Sequence, residues 1–171
     1  MFGRRKMTLA SALAAMLALG GCGSGEEGTI STEDGDVEYR ISGDDDATNI
    51  RLNTPDGNAT VDTGETLKPD LPEGIAVYPA AKVTNVSNVG LGDKGSGSLV
   101  AMDTADAPDK VTGWYKAAAE KAGYKVEAQL QTGNLHMISG KAGDGREFSV
   151  TASAREGGTS VQLIAGSGLS T

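Results

Sequence analysis

A thiol and an imidazole are the side chains that most readily do chemistry near neutral pH, and this chain has one of each, Cys22 and His136. A single cysteine rules out an internal disulfide, a cysteine-based zinc site and a dithiol redox pair. His136 lies between Leu135 and Met137 in an alternating segment, which turns it to the opposite side of a strand from both. A Ser-His-Asp site would need a nucleophile on a preorganised element, and no Gly-x-Ser-x-Gly occurs; Gly95-Ser96-Gly97-Ser98 has loop composition. A lone imidazole also builds no metal site without partners, so His136 reads as a half-exposed sheet residue. Asp44-Asp45-Asp46 offers the carboxylate oxygens that calcium wants. No Asp-x-Asp-x-Asp-Gly loop follows it and no glutamate arrives at the twelfth position, so the triplet reads as a solvated acidic turn. The stretch from Gly90 to Gly97 resembles a phosphate cradle only superficially, because it lacks the Gly-Lys-Ser/Thr ending and does not run directly into a helix. The remaining carboxylates fall mostly on turns, where no acid/base pair can be assigned. No catalytic residue, metal ligand or cofactor is therefore expected.

Cys22 has a more informative setting. Arg4, Arg5 and Lys6 form a basic start, and Met7 to Leu19 is an uncharged Ala/Leu/Met run. That run is short of the roughly 20 apolar residues a membrane-spanning helix needs, and it suits the apolar region of a signal peptide. Leu19-Gly20-Gly21-Cys22 then resembles the lipobox of bacterial lipoproteins. The resemblance implies cleavage before Cys22, a diacylglycerol on its sulfur and, in many Gram-negative bacteria, a further acyl chain on its freed amine. Two or three chains, at about 0.8 kcal/mol per buried methylene, hold a protein stably on a bilayer where one does not. Glycine rather than aspartate follows the cysteine, which by the same resemblance favours the outer membrane. The expectation is a protein of the cell envelope, lipid-anchored through Cys22 to the outer membrane and facing the periplasm.

Charge narrows the partners. The full chain carries net −8; residues 1–21 hold three of its 15 basic residues and none of its 23 acidic ones, so the mature chain has 12 against 23, net −11. Nucleic acid and anionic headgroups are poor partners for such a chain. About 150 mature residues allow one ordinary domain and a small appendage. The 25 glycines imply many turns, and the 4% aromatic content implies a core of small aliphatic side chains.

The elements that must position these residues begin after a flexible tether at 22–28. Thr32-Glu33-Asp34-Gly35 and Thr54-Pro55-Asp56-Gly57 repeat 22 residues apart, each an Asp-Gly hairpin signal. Alternation predicts strands at 37–42, 48–53 and 58–62, a small β-meander over 29–64 with too few large apolar residues to be stable alone. A proline-containing linker at 65–74 follows. Beyond it, strands are expected at 81–89 and 98–103, then a helix from Asp106 to Ala122. Asp106 or Thr104 would cap that helix, Pro108 fits its first turn, and Gly123 stands where a C′ glycine belongs. Val111, Trp114, Tyr115, Ala118, Ala119 and Ala122 share one face at three- and four-residue spacings, so both aromatics read as core rather than as a ligand platform. Four further strands, at 124–131, 134–139, 147–154 and 159–165, are joined by short glycine turns.

The expected fold class is therefore α+β: an antiparallel sheet with one packed helix in the order ββαββββ over 75–167, preceded by the small β-meander and a cleaved signal peptide. Tyr78-Pro79-Ala80-Ala81, the helix start with Asp109, Val111, Trp114 and Tyr115, and Gly158-Thr159-Ser160-Val161 look like a module of uncharacterised bacterial lipoproteins, with Ala80 where that pattern has glycine. The resemblance spans roughly 75–165 and carries no activity with it. The function expected is a non-enzymatic interaction or assembly module, meeting an envelope protein or polymer through a helix-free sheet face and its glycine loops. The competing class is an envelope hydrolase or small-ligand binder, which would need His136 joined to nearby carboxylates.

Overall fold

A computed structural model describes residues 25–32, 35–44, 46–55 and 57–168. Cys22 and the targeting segment lie outside these residues. Four strands come first, β1 (Glu26–Thr32), β2 (Gly35–Gly43), β3 (Ala47–Thr54) and β4 (Gly57–Gly64), then β5 (Ala81–Gly90) and β6 (Ser96–Thr104). The helix α1 (Pro108–Lys121) precedes β7 (Tyr124–Thr132), β8 (Leu135–Ala142), β9 (Arg146–Arg155) and β10 (Gly158–Ser167). The flanking residues of the two Thr-x-Asp-Gly copies make the same contact: Thr32 Oγ1 donates to the Gly35 carbonyl at 2.7 Å and Thr54 Oγ1 to that of Gly57 at 2.8 Å. Both glycines have positive φ, 123° and 135°, which explains the residue type at each.

The expected ββαββββ α+β domain with a separate meander before it is not what forms. Among the described residues all ten strands make one antiparallel sheet in the order β1-β2-β3-β4-β5-β6-β10-β9-β8-β7, with a single α-helix on it. The join is β4 on β5, from Thr60 opposite Gly90 to Gly64 opposite Val86. Its cause is plain: a meander that buries little cannot stand alone, and the outer edge of β5 offers the unpaired N–H and C=O groups that complete its ladder. Part of the expected tether is also strand, since β1 starts at Glu26.

Alternation decides which sheet face is buried. Val86, Val100, Val161, Leu163, Val150, Ile138 and Phe148 point to one side, where they form the core with Val111, Tyr115 and Ala119 of α1. α1 contacts β7, β8 and β9. The segment before β5 covers the β5–β6 side: Ile75 and Tyr78, at the start of the expected 75–167 domain, insert into the core, and Leu67 and Leu71 of the expected 65–74 linker pack beside them. It is pinned by polar contacts: the Asp70 amide donates to Asn88 Oδ1 at 3.1 Å and to Ser98 Oγ at 2.6 Å, and Asn88 Nδ2 donates to the Lys68 carbonyl at 2.9 Å. Gly74, at φ 87°, lets this segment pass against Ala122 at the end of α1, where any Cβ would collide.

The helix ends differ from expectation at one side. Ala107 is the N-cap and makes no side-chain cap bond, with Pro108 at the first helical position. Thr104 and Asp106 are engaged elsewhere: Thr104 Oγ1 donates to the Ala80 carbonyl at 2.9 Å, and Asp106 accepts from Lys110 Nζ at 2.8 Å. At the other end Gly123 takes φ 84°, as a C′ glycine should.

Candidate functional site

The two sheet faces are chemically different. Cross-strand partners share a face, so the registers Ser87–Leu99, Leu99–Ile164, Ile164–Ser149 and Ser149–Ser139 define one row on the side away from α1. The next row runs Ala101, Gln162, Thr151, Met137, Leu130, and the one after it Asp103, Ser160, Ser153, Leu135. This open face is built of hydroxyl and amide side chains interspersed with Leu99, Ile164, Met137, Leu135 and Leu130. Ile164 and Leu130 are 44% and 45% exposed, among the few large apolar side chains left this open to solvent. Ion pairs lie near its ends, Arg155 with Asp103 at 2.8 Å and Lys141 with Glu147 at 3.7 Å. A shallow concavity lies between Met137, Ser139, Ser149 and Ile164.

Three apolar residues on this face were hidden in the sequence for one reason. Ile164 falls between Leu163 and Ala165, Leu99 before Val100, and Leu130 between two glutamines, all in the phase that points away from the core. An apolar residue on the polar beat of a strand is the signal that finds such a face.

His136 stands on the opposite, helix-bearing face, directly across from Ala152 on β9 and Gln131 on β7. It is half-buried, and no carboxylate sits opposite it in either register. Among the described residues no group of three His, Cys, Asp or Glu side chains converges closely enough to hold a metal ion. Asp44 closes its own turn, its Oδ1 accepting from the amides of Asp46 at 3.1 Å and Ala47 at 3.0 Å. Asp45 lies outside the described residues. The Gly90–Gly97 stretch is the β5–β6 hairpin, with a 3₁₀ turn at Gly92–Lys94 and the Leu91 amide donating to the Gly95 carbonyl at 2.8 Å.

The aromatic pair on α1 divides its work. Tyr115 is fully buried and its hydroxyl donates to the Ala76 carbonyl at 3.0 Å. Trp114 is half-buried and packs edge-on to Tyr115 and Tyr78, with ring centroids 4.9 and 5.5 Å apart. Tyr78 donates to Asp106 Oδ2 at 2.7 Å. Burial first, and this bond to a carboxylate second, push the Tyr78 phenol up to about 12. Asp106 moves the other way, held below the usual carboxylate range by the hydrogen bond from Lys110 and then by that from Tyr78. These groups tie α1 to the crossing segment and to β10, where Thr159 Oγ1 donates to the Asp106 carbonyl at 2.6 Å. Their geometry is structural.

A family model described as START domain-like matches residues 82–159, which run from β5 into β10 and amount to less than half of the chain. No curated protein and no solved structure matches it. The matched span includes α1 and most of the open face.

Proposed function

We propose that this is a lipid-anchored cell-envelope protein, held at the outer membrane through acyl chains on Cys22, and that it works as a non-enzymatic interaction module. Its open sheet face meets an envelope protein or polymer. The observation that carries the reading is the contrast between the faces. One is filled by Val111, Tyr115, Ala119, Ile75 and Tyr78, while the other bears Leu99, Met137 and Ile164 among serines and threonines, with no element packed over them among the described residues. Mixed apolar and hydroxyl side chains on a rigid sheet suit recognition of a partially polar surface, because aliphatic side chains supply contact area and hydroxyls can donate or accept. The anchor half of the proposal rests on Leu19-Gly20-Gly21-Cys22 and the basic and apolar segments before it.

The hydrolase or ligand-binder reading has less behind it. His136 faces Ala152 and Gln131, and the space under α1 is occupied by core side chains. Photo-crosslinking in intact cells tests the proposal, with a photoreactive residue placed at Ile164 or Met137 on the open face, or at Glu120 on the exposed side of α1. A discrete crosslinked species from the first two positions and none from the third is the expected result. Equal crosslinking from all three, or none from any, would refute the open face as the interaction surface.

A further inference from the structure

β1 to β4 form a single layer with strictly segregated faces. Ile30 stands opposite Val37, Tyr39 opposite Leu52, Ile41 opposite Ile50, Leu52 opposite Ala59 and Ile50 opposite Val61. All share one face, completed by glycines and threonines, with Glu26 alone carrying charge at the corner. The reverse face holds Glu27, Glu38, Arg40 and Arg51, including an Arg40–Glu27 ion pair at 2.8 Å. None of these apolar side chains belongs to the core, and Ile30 is 46% exposed. This apolar face is uncovered among the described residues, and a contiguous patch of this kind is often functional.

Reach and area identify its occupant. Residues 23–25 alone separate Cys22 from the first residue of β1, so Cys22 lies within about 14 Å of that edge however the chain runs. Four strands of about five residues give a patch roughly 19 by 17 Å, about 300 Å². Even allowing for side-chain relief, this planar area is small beside the roughly 800 Å² of accessible surface per partner on which a free protein complex holds. A surface already tethered to the same chain needs no such area, since the tether supplies a high effective concentration. The patch has no lysine or arginine, which suits the interface of a zwitterionic bilayer rather than an anionic one. We propose that the apolar face of β1–β4 lies against the bilayer beside the anchor, an inference that rests on the reading of Cys22 as acylated. The right-handed twist of roughly 20–25° per strand, accumulated over the steps from β2 to β9, then turns the open face of β8–β10 away from the membrane toward a partner.

The test uses the acylated full chain in phosphatidylethanolamine/phosphatidylcholine vesicles. Single cysteines carrying an environment-sensitive fluorophore replace Ile30 or Leu52 on the apolar face, and Thr29 or Arg51 on the reverse face; acylation leaves Cys22 unreactive to the label. Ile30→Cys, at the exposed edge, keeps the test open should Leu52→Cys disturb packing. Quenching by lipid-borne nitroxides should be several-fold stronger at positions 30 and 52 than at 29 and 51. Equal quenching on both faces of acylated protein overturns the proposal alone. So does protection of 30 and 52 that grows with protein-to-lipid ratio without lipid quenching, which would indicate a second copy on the face. Intact mass without acyl chains overturns the anchor reading and the proposal with it.

Discussion

Removing the Tyr115 ring should cost more than removing the larger ring of Trp114 beside it. Tyr115 is fully enclosed between α1, Met102 and the crossing segment, and its hydroxyl satisfies the Ala76 carbonyl. Deleting a buried aromatic costs about 3–5 kcal/mol, and the carbonyl left without its donor adds about 1 kcal/mol or more. Trp114 is half-buried, so its deletion forfeits part of its area and two edge-on ring contacts, each worth about 0.5–1.5 kcal/mol. A total near 2 kcal/mol follows for Trp114→Ala, and about 1 kcal/mol for Tyr115→Phe, which loses only the hydrogen bond. With a urea slope of about 2 kcal/mol per molar, Tyr115→Ala should lower the midpoint by about 2–3 M, Trp114→Ala by about 1 M and Tyr115→Phe by about 0.5 M. Far-ultraviolet circular dichroism in urea reads all three without depending on indole fluorescence. A Trp114→Ala midpoint at or below that of Tyr115→Ala would refute the assignment of Tyr115 as the centre of the helix–sheet contact.

Two further outcomes follow from the same packing. The Tyr78 phenol, ordinarily titrating near 10, titrates near 12 in the folded chain, so its contribution is complete below pH 10 and is lost as pH rises from 10 through 12; burial pushes Tyr115 in the same direction. The urea midpoint should therefore hold up to pH 10 and fall above it, less steeply in Tyr78→Phe, and an identical fall in that variant would contradict the linkage. Residues 65–168, lacking β1–β4, should still unfold cooperatively in urea, because those strands contribute no side chain to the core; a broad non-cooperative curve would show that β4 is needed to hold β5.

The sequence made some of these features legible and hid others for physical reasons. Local signals read well: the paired Thr-x-Asp-Gly turns, the helix with Pro108 at its start and Gly123 after its end, and the alternation of β6 through β10. What sequence reading missed is long-range. Pairing of β4 with β5 depends on backbone groups that every residue carries, so no side-chain pattern announces it, and the 65–74 prolines suggested a linker where the chain in fact lies against the core through Leu67 and Leu71. Trp114 drew attention by size, yet the helical phase buries Tyr115 more deeply. The open face was legible only as a place with no helix; its apolar members, Leu99, Leu130 and Ile164, became recognisable once register fixed which beat of each strand faces the core.

The proposal as a whole depends first on the chemistry of Cys22, the one thiol in the chain. Growing cells that express the full-length protein with a clickable fatty acid, capturing the protein and measuring label on wild type and Cys22→Ala, addresses it directly. Label on the wild type and its complete loss from Cys22→Ala is the predicted result; equal label on both, or none on the wild type, would contradict the lipid anchor.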